Sequence, residues 1–177
     1  GEGDGAYMSV QKLTLLLAVC LLASCGVWQK SKSLVGMGPN EVKSIGLLTS
    51  DDARYASVIE IAFAYGDASV AVVVSADVGQ WFSERKGYCS SYSSELDVVR
   101  IELPAGYSAS ITELPKNYKK SSAIFVFVET VGKSDITLLE TPWLVIDNEE
   151  IAVLPGPPGK KRSISKKGTN RGIQRPC

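Results

Sequence analysis

Residues 58–65 read VIEIAFAY, and their alternation decides the fold class. Ile59, Ile61, Phe63 and Tyr65 fall on one face and Val58, Glu60, Ala62 and Ala64 on the other, the period of two that a half-buried β-strand requires. Upstream, 42–50 (VKSIGLLTS) predicts a strand, and the turn-forming residues from Ser50 to Ser57 predict a polar loop between the two. Downstream, Gly66-Asp67 turns the chain, and the β-branched run 70–74 (VAVVV) reads as a buried strand. Ser75 is placed to cap a helix to Lys86, with Asp77 in its first turn and Val78, Trp81, Phe82 and Arg85 at helical spacing. The pair Trp81-Phe82 is read as a core plug. After a Ser/Tyr-rich loop at 89–95, strands are predicted at 96–103, 107–114, 123–131, 136–139, 143–146 and 151–154, separated by turn residues such as Pro104-Ala105-Gly106, Gly132-Lys133 and Asp147-Asn148. Eight or nine short strands with one or two short helices imply a mainly antiparallel β-sandwich over 42–154.

The segment 8–25 (MSVQKLTLLLAVCLLASC) addresses the chain. One early positive charge, Lys12, precedes an uncharged apolar run from Leu13 to Ala23, the length of a signal-peptide core and too short to span a bilayer. It ends Leu22-Ala23-Ser24-Cys25, which resembles the lipobox of bacterial lipoproteins and implies that 8–24 is removed and Cys25 acylated on its sulfur. Cys20 is the weaker candidate, because β-branched Val19 precedes it and the apolar run continues beyond it. Gly26 follows Cys25 where the family places Asp to retain a lipoprotein in the inner membrane, which implies the outer membrane. Residues 1–7 precede a start methionine and stay outside the fold. Residues 25–41, rich in Gly, Ser and Lys, are expected to form a flexible tether spanning roughly 20–24 Å.

Formal net charge is zero but unevenly laid out: 26–150 carries 11 basic against 17 acidic residues, and 151–177 carries seven basic and no acidic ones. The stretch 155–177, opened by Pro155-Gly156-Pro157-Pro158-Gly159, is expected to be a disordered basic tail, read either as a contact for anionic headgroups or an acidic partner, or as a solvated or vector-derived end. Cys89 and Cys177 are left to the oxidising periplasm, paired with each other or free. The absence of histidine removes Ser-His-Asp and Cys-His mechanisms and the commonest zinc ligand. Catalysis would have to run on carboxylates, and the pairs Asp51/Asp52 and Glu149/Glu150 are sequence neighbours whose side chains would diverge on a strand. No enzyme, cofactor, metal site or nucleic-acid partner is expected.

In sequence order, the lipobox, the strand running into a Ser-Asp loop (Ile45 to Asp52), the V-x-I-x-F-x-Y-type strand, the Trp81-Phe82 helix, L-x-V-x-x-I-E-L-P-A-G (Leu96 to Gly106) and the apolar strand from Ile124 to Val128 resemble the outer-membrane lipoproteins of type VI secretion systems, the TssJ family. The family often carries Leu-Asn-Pro where this chain has Ser50-Asp51-Asp52-Ala53. The resemblance implies a transthyretin-like sandwich, held in outer-membrane lipid by acylated Cys25, that binds the periplasmic part of the inner-membrane protein TssM. It also implies that the loop between the first two strands makes the contact, here Asp51, Asp52, Arg54 and Tyr55. Two readings compete: a periplasmic inhibitor or ligand-binding lipoprotein using the 89–94 loop, and a lipoprotein of another envelope machine such as a type IV secretion or pilus pilotin.

Overall fold

The computed structural model describes residues 40–158, 166–167 and 173–177. The leader at 8–24, Cys25 and nearly all of the tether at 25–41 lie outside the described residues.

Strands β1 (Ile45–Thr49), β4 (Tyr107–Ile111), β7 (Trp143–Ile146), β8 (Ile151–Leu154) and β9 (Lys166–Lys167) form one sheet in the order β8-β7-β1-β4-β9. The other holds β2 (Ser57–Ala64), β3 (Leu96–Leu103), β5 (Ala123–Val128) and β6 (Gly132–Asp135) in the order β3-β2-β5-β6. Pairing is antiparallel except for β1 with β7 and β4 with β9. The sheets pack face to face through Ile45, Leu47, Ile111 and Leu144 on one side and Ile59, Ile61, Phe63, Val99 and Val126 on the other. The protein is therefore a mainly β sandwich, as its strand pattern implies.

A third layer departs from the sequence reading. Helices α1 (Asp67–Ser75) and α2 (Val78–Ser91) cover the outer face of the β3-β2-β5-β6 sheet, so Ala62, Ala64, Val98, Phe125 and Phe127 bury a second core around Val73 and Trp81. Strand β2 is consequently buried on both faces from Ile59 onward rather than half-buried. Trp81 is fully buried and stacks on Phe127 at 4.3 Å between ring centroids, and Phe82 packs part-buried beside it.

The run 70–74 is helix α1, not a strand. Its β-branched residues favour extended backbone, but the entry is fixed by Ser69, whose buried hydroxyl accepts from the Gly66 amide at 3.2 Å and donates to the Glu95 carbonyl at 2.8 Å. Ser69 and Val73 then bury one face at a spacing of four. At the far end the Lys133 ammonium donates to the Val74 and Ala76 carbonyls at 2.6 and 2.7 Å, satisfying a helix terminus with the charge its dipole favours. Helix α2 is capped by Asp77, not Ser75: its Oδ1 accepts from the Gln80 amide at 2.8 Å. It runs on to Ser91 and absorbs the first three residues of the predicted 89–95 loop, because Tyr88 stacks against Trp81 at 5.8 Å and Cys89 is tied down.

The predicted strand at 136–139 is instead a turn following β6. The Asp135 carboxylate accepts from the Thr137 amide at 2.9 Å, which ends extended pairing, and Leu138 is 63% exposed. Strands β4 and β5 also stop short of their predicted ends, β5 where Thr130 takes a φ of 66°.

The tail is ordered at its described residues, against expectation. Backbone at Lys166–Lys167 pairs with β4, Gln174 exchanges backbone hydrogen bonds with Arg100 at 2.9 and 2.8 Å, and Ile173 packs against the inter-sheet core. Cys177 forms a disulfide with Cys89, their Cα atoms 5.0 Å apart. The unpaired edges of β4 and β3 template the tail, and the covalent bond to α2 offsets the entropy of holding it.

Tyr65, just past β2, donates its hydroxyl to the Asp97 carboxylate; burial first, and then this contact, push its pKa well above the ordinary tyrosine value. Tyr88 is pushed up to about 12, by burial first and then by its hydrogen bond to Glu84 at 2.6 Å. Both folded values exceed the unfolded value of about 10, so between them the unfolded chain loses protons that the folded chain keeps. The stability these groups contribute is complete below about pH 10 and falls as pH rises above it. Urea midpoints measured against pH should decline above about pH 10, and Tyr65→Phe should flatten that decline.

Candidate functional site

The registers of β1 define two poles. Leu48 pairs with Ser108 and Thr49 with Ile146, which gathers the β1–β2 loop (50–56), the β3–β4 turn (104–106) and the β7–β8 turn (147–150) at one end. Ile45 pairs with Ile111, which puts 112–122 beside the incoming chain at the other.

Three contacts brace the loop. Thr49, fully buried, donates its hydroxyl to the Pro104 carbonyl and accepts from the Tyr107 amide at 3.1 Å. The Ser50 carbonyl accepts from Ala53 and Gly106 amides, each at 3.1 Å. Gly106 has a φ of 72°, and a Cβ there would lie 2.4 Å from Asp51 Oδ1, so this position admits Asp51 only because it lacks a side chain. The third contact is long-range: the Asn148 side-chain amide donates to the Asp52 carbonyl and accepts from the Arg54 amide, both at 3.0 Å. Asn148 is itself set by Asp147, whose Oδ1 accepts from the Glu149 and Glu150 amides at 2.8 Å.

The loop is thus held by its backbone and leaves its side chains outward. Asp51, Asp52, Arg54 and Tyr55 are all exposed, Tyr55 by 82%. A shallow concavity of about 530 Å³ lies between the loop and the β7–β8 turn, lined by Asp52, Arg54, Asp147, Asn148, Glu149 and Glu150 with Ser50. Four carboxylates against one guanidinium make it acidic, which suits a basic partner. A second concavity, of about 260 Å³, lies on the Tyr55 side against Glu129, Thr130 and Val131.

The four residues singled out in the sequence share one loop, and the structure adds Asp147, Asn148, Glu149, Glu150 and Glu129 to their surface. Glu149 and Glu150 stand in a turn, both exposed, rather than diverging on a strand. The one usable signal was Asp147-Asn148, read as a turn; no sequence pattern ties Asn148 to a loop 94 residues away.

No protein-family model matches the chain, and no curated protein matches it. Among solved structures it is similar to the type VI secretion lipoprotein TssJ1 of Pseudomonas aeruginosa, with 12% identity and a TM-score of 0.48, covering 66% of this chain and 96% of that one. It is also similar to Lip of Serratia marcescens, a membrane-bound component of the type VI secretion system, with 12% identity and a TM-score of 0.46, covering 63% and 95%.

A second polar cluster lies under helix α2. Glu60 is fully buried; its carboxylate accepts from Trp81 Nε1 at 2.9 Å, from Arg100 at 2.8 Å and from Arg85. The bond to Glu60, and after burial's opposing effect the bond to Glu102, raise the Arg100 pKa further above its usual value. Every oxygen of Glu60 is engaged, so the cluster joins helix to sheet and offers no open position to a ligand. Among the described residues no group of three His, Cys, Asp or Glu side chains could hold a metal ion, and no helix is long and apolar enough to cross a membrane.

Proposed function

We propose that the chain is the outer-membrane lipoprotein of a type VI secretion apparatus, acylated at Cys25, that works by holding the periplasmic part of a TssM-like inner-membrane protein on its β1–β2 loop. Tyr55 carries this reading: a large aromatic side chain, 82% exposed, presented on a backbone braced at three points beside a predominantly acidic concavity. Exposed aromatics on rigid loops are the usual anchors of protein interfaces, and a rigid loop loses little entropy on binding. The acidic concavity beside it supplies a charge-selective rim. The inhibitor reading keeps only the short turn 92–94 of the loop that suggested it, because Cys89, Ser90 and Ser91 lie in helix α2.

A pull-down from solubilised envelopes tests the proposal, with the mature protein beside a variant in which Asp51, Asp52, Arg54 and Tyr55 are replaced by Ser or Ala. All four are exposed, so both forms should give the same circular dichroism spectrum. Recovery of a large inner-membrane secretion protein by the native form only is expected. Equal recovery by both forms would remove the loop from the interface, and recovery of a soluble hydrolase would move the inhibitor reading ahead.

A further inference from the structure

A cluster of exposed lysines stands at the pole opposite the loop. Where the described chain begins, Asn40 donates its amide to the Tyr118 carbonyl at 2.7 Å and the Ser121 carbonyl at 3.1 Å, fixing the incoming chain to the 3-10 turn Tyr118–Lys120. Lys116, Lys119 and Lys120 project from this turn, all exposed. Arg175 joins them from the tail, donating to the Glu113 carbonyl at 3.2 Å. The acidic side chains on the same segments are Glu41 and Glu113, while Lys43 is neutralised by its ion pair with Glu140. Lys116, Lys119 and Lys120 fall within five residues that hold no carboxylate, so the turn itself is positive, although Asp67, Glu95, Asp97 and Asp135 stand elsewhere at this end of the sandwich; the loop pole is acidic throughout.

We infer that the turn at 116–120 is a contact surface for anionic phospholipid headgroups. Lys ammoniums on a short exposed turn act as mobile point charges, which suit the diffuse field of a phosphate layer better than a shaped pocket. Position strengthens the match, since Cys25 precedes Asn40 by only fifteen positions and Asn40 is fastened to the lysine-bearing turn itself. An anchor at Cys25 would therefore join the lipid to the end of the chain that is fastened to this turn. The contact would turn the acidic loop pole away from the bilayer and into the periplasm. That orientation rests on the lipid-anchored function proposed above; the affinity of the turn for an anionic surface does not.

Co-sedimentation tests the affinity using the full chain with Cys25→Ser, which removes acylation, and vesicles of phosphatidylcholine with or without phosphatidylglycerol. The leader is present in every sample, so the readout is the ratio of the two partition coefficients. A preference for phosphatidylglycerol vesicles of at least about 10-fold is expected, lost in high salt and largely lost in Lys116→Gln/Lys119→Gln/Lys120→Gln. Unchanged thermal unfolding of this variant would show that its fold is intact. A preference that survives the three substitutions would overturn the assignment and place the effect in the leader or in the basic stretch after Pro155. No preference in the parent chain would overturn it outright. Mass spectrometry of native Cys25 decides the anchor separately: acylation without vesicle preference refutes the surface alone, and vesicle preference without acylation refutes the anchored reading alone.

Discussion

Glu60→Ala is expected to lower the unfolding free energy by about 3–5 kcal/mol, a fall in Tm of roughly 10–20 °C. The carboxylate is inaccessible to water and serves three donors at once. Removing it leaves Trp81 Nε1–H buried without an acceptor and strands two guanidiniums whose side chains are only 19% and 22% exposed. Arg85→Met should cost far less, because Glu60 keeps Arg100 and Trp81. Arg85 must therefore rank well below Glu60, and Glu60→Gln should fall between, keeping the tryptophan bond while losing the charge. Denaturant unfolding followed by circular dichroism gives all three values. A Glu60→Ala loss below about 1 kcal/mol, the range of a surface pair, would mean that the cluster does not join helix to sheet.

Reduction of the Cys89–Cys177 bond, or Cys89→Ser, should cost about 2–5 kcal/mol. The bond closes a loop of 88 residues, and confining so long a loop removes much of the freedom of the unfolded chain. The effect has a local signature besides a global one. Arg100 and Gln174 exchange paired backbone hydrogen bonds on the free edge of β3, and the amide protons of both should exchange with solvent far faster once the tail is released. Cys177→Ser should match Cys89→Ser in both respects, and the double variant should add nothing. Equal midpoints for the oxidised and reduced protein would show that the tail grips the sandwich without its covalent tie.

The elements legible in the sequence are those whose pattern reports one environment. Strands β3, β7 and β8 begin and end where alternation and turn residues place them, because each is bounded by turn-forming residues at both ends. The run at 70–74 misleads because its valines would suit either a strand or a buried helix, and Ser69 and Lys133, both outside it, decide. The alternation of β2 shows which residues share a face and is silent on what covers each face; small Ala62 and Ala64 make room for helices that only the folded chain reveals. The loop at 50–56 was legible from its composition, but its rigidity depends on Asn148, and the partner of Cys89 lies in a tail with no periodicity to read.

Strand β1 connects the two poles directly. The incoming chain is pinned at Asn40, and five residues, Ile45–Thr49, lead straight into the loop that presents Tyr55. If Cys25 is the anchor and that loop the grip, as proposed, tension between membrane and partner would pass along a single covalent segment of about 17 Å, flanked by β4 and β7. The rest of the sandwich would act as a sleeve around that segment, steadying its direction while bearing little of the load. Such a domain need not resist mechanical unfolding to transmit force, and its stability is free to serve the shape of the loop.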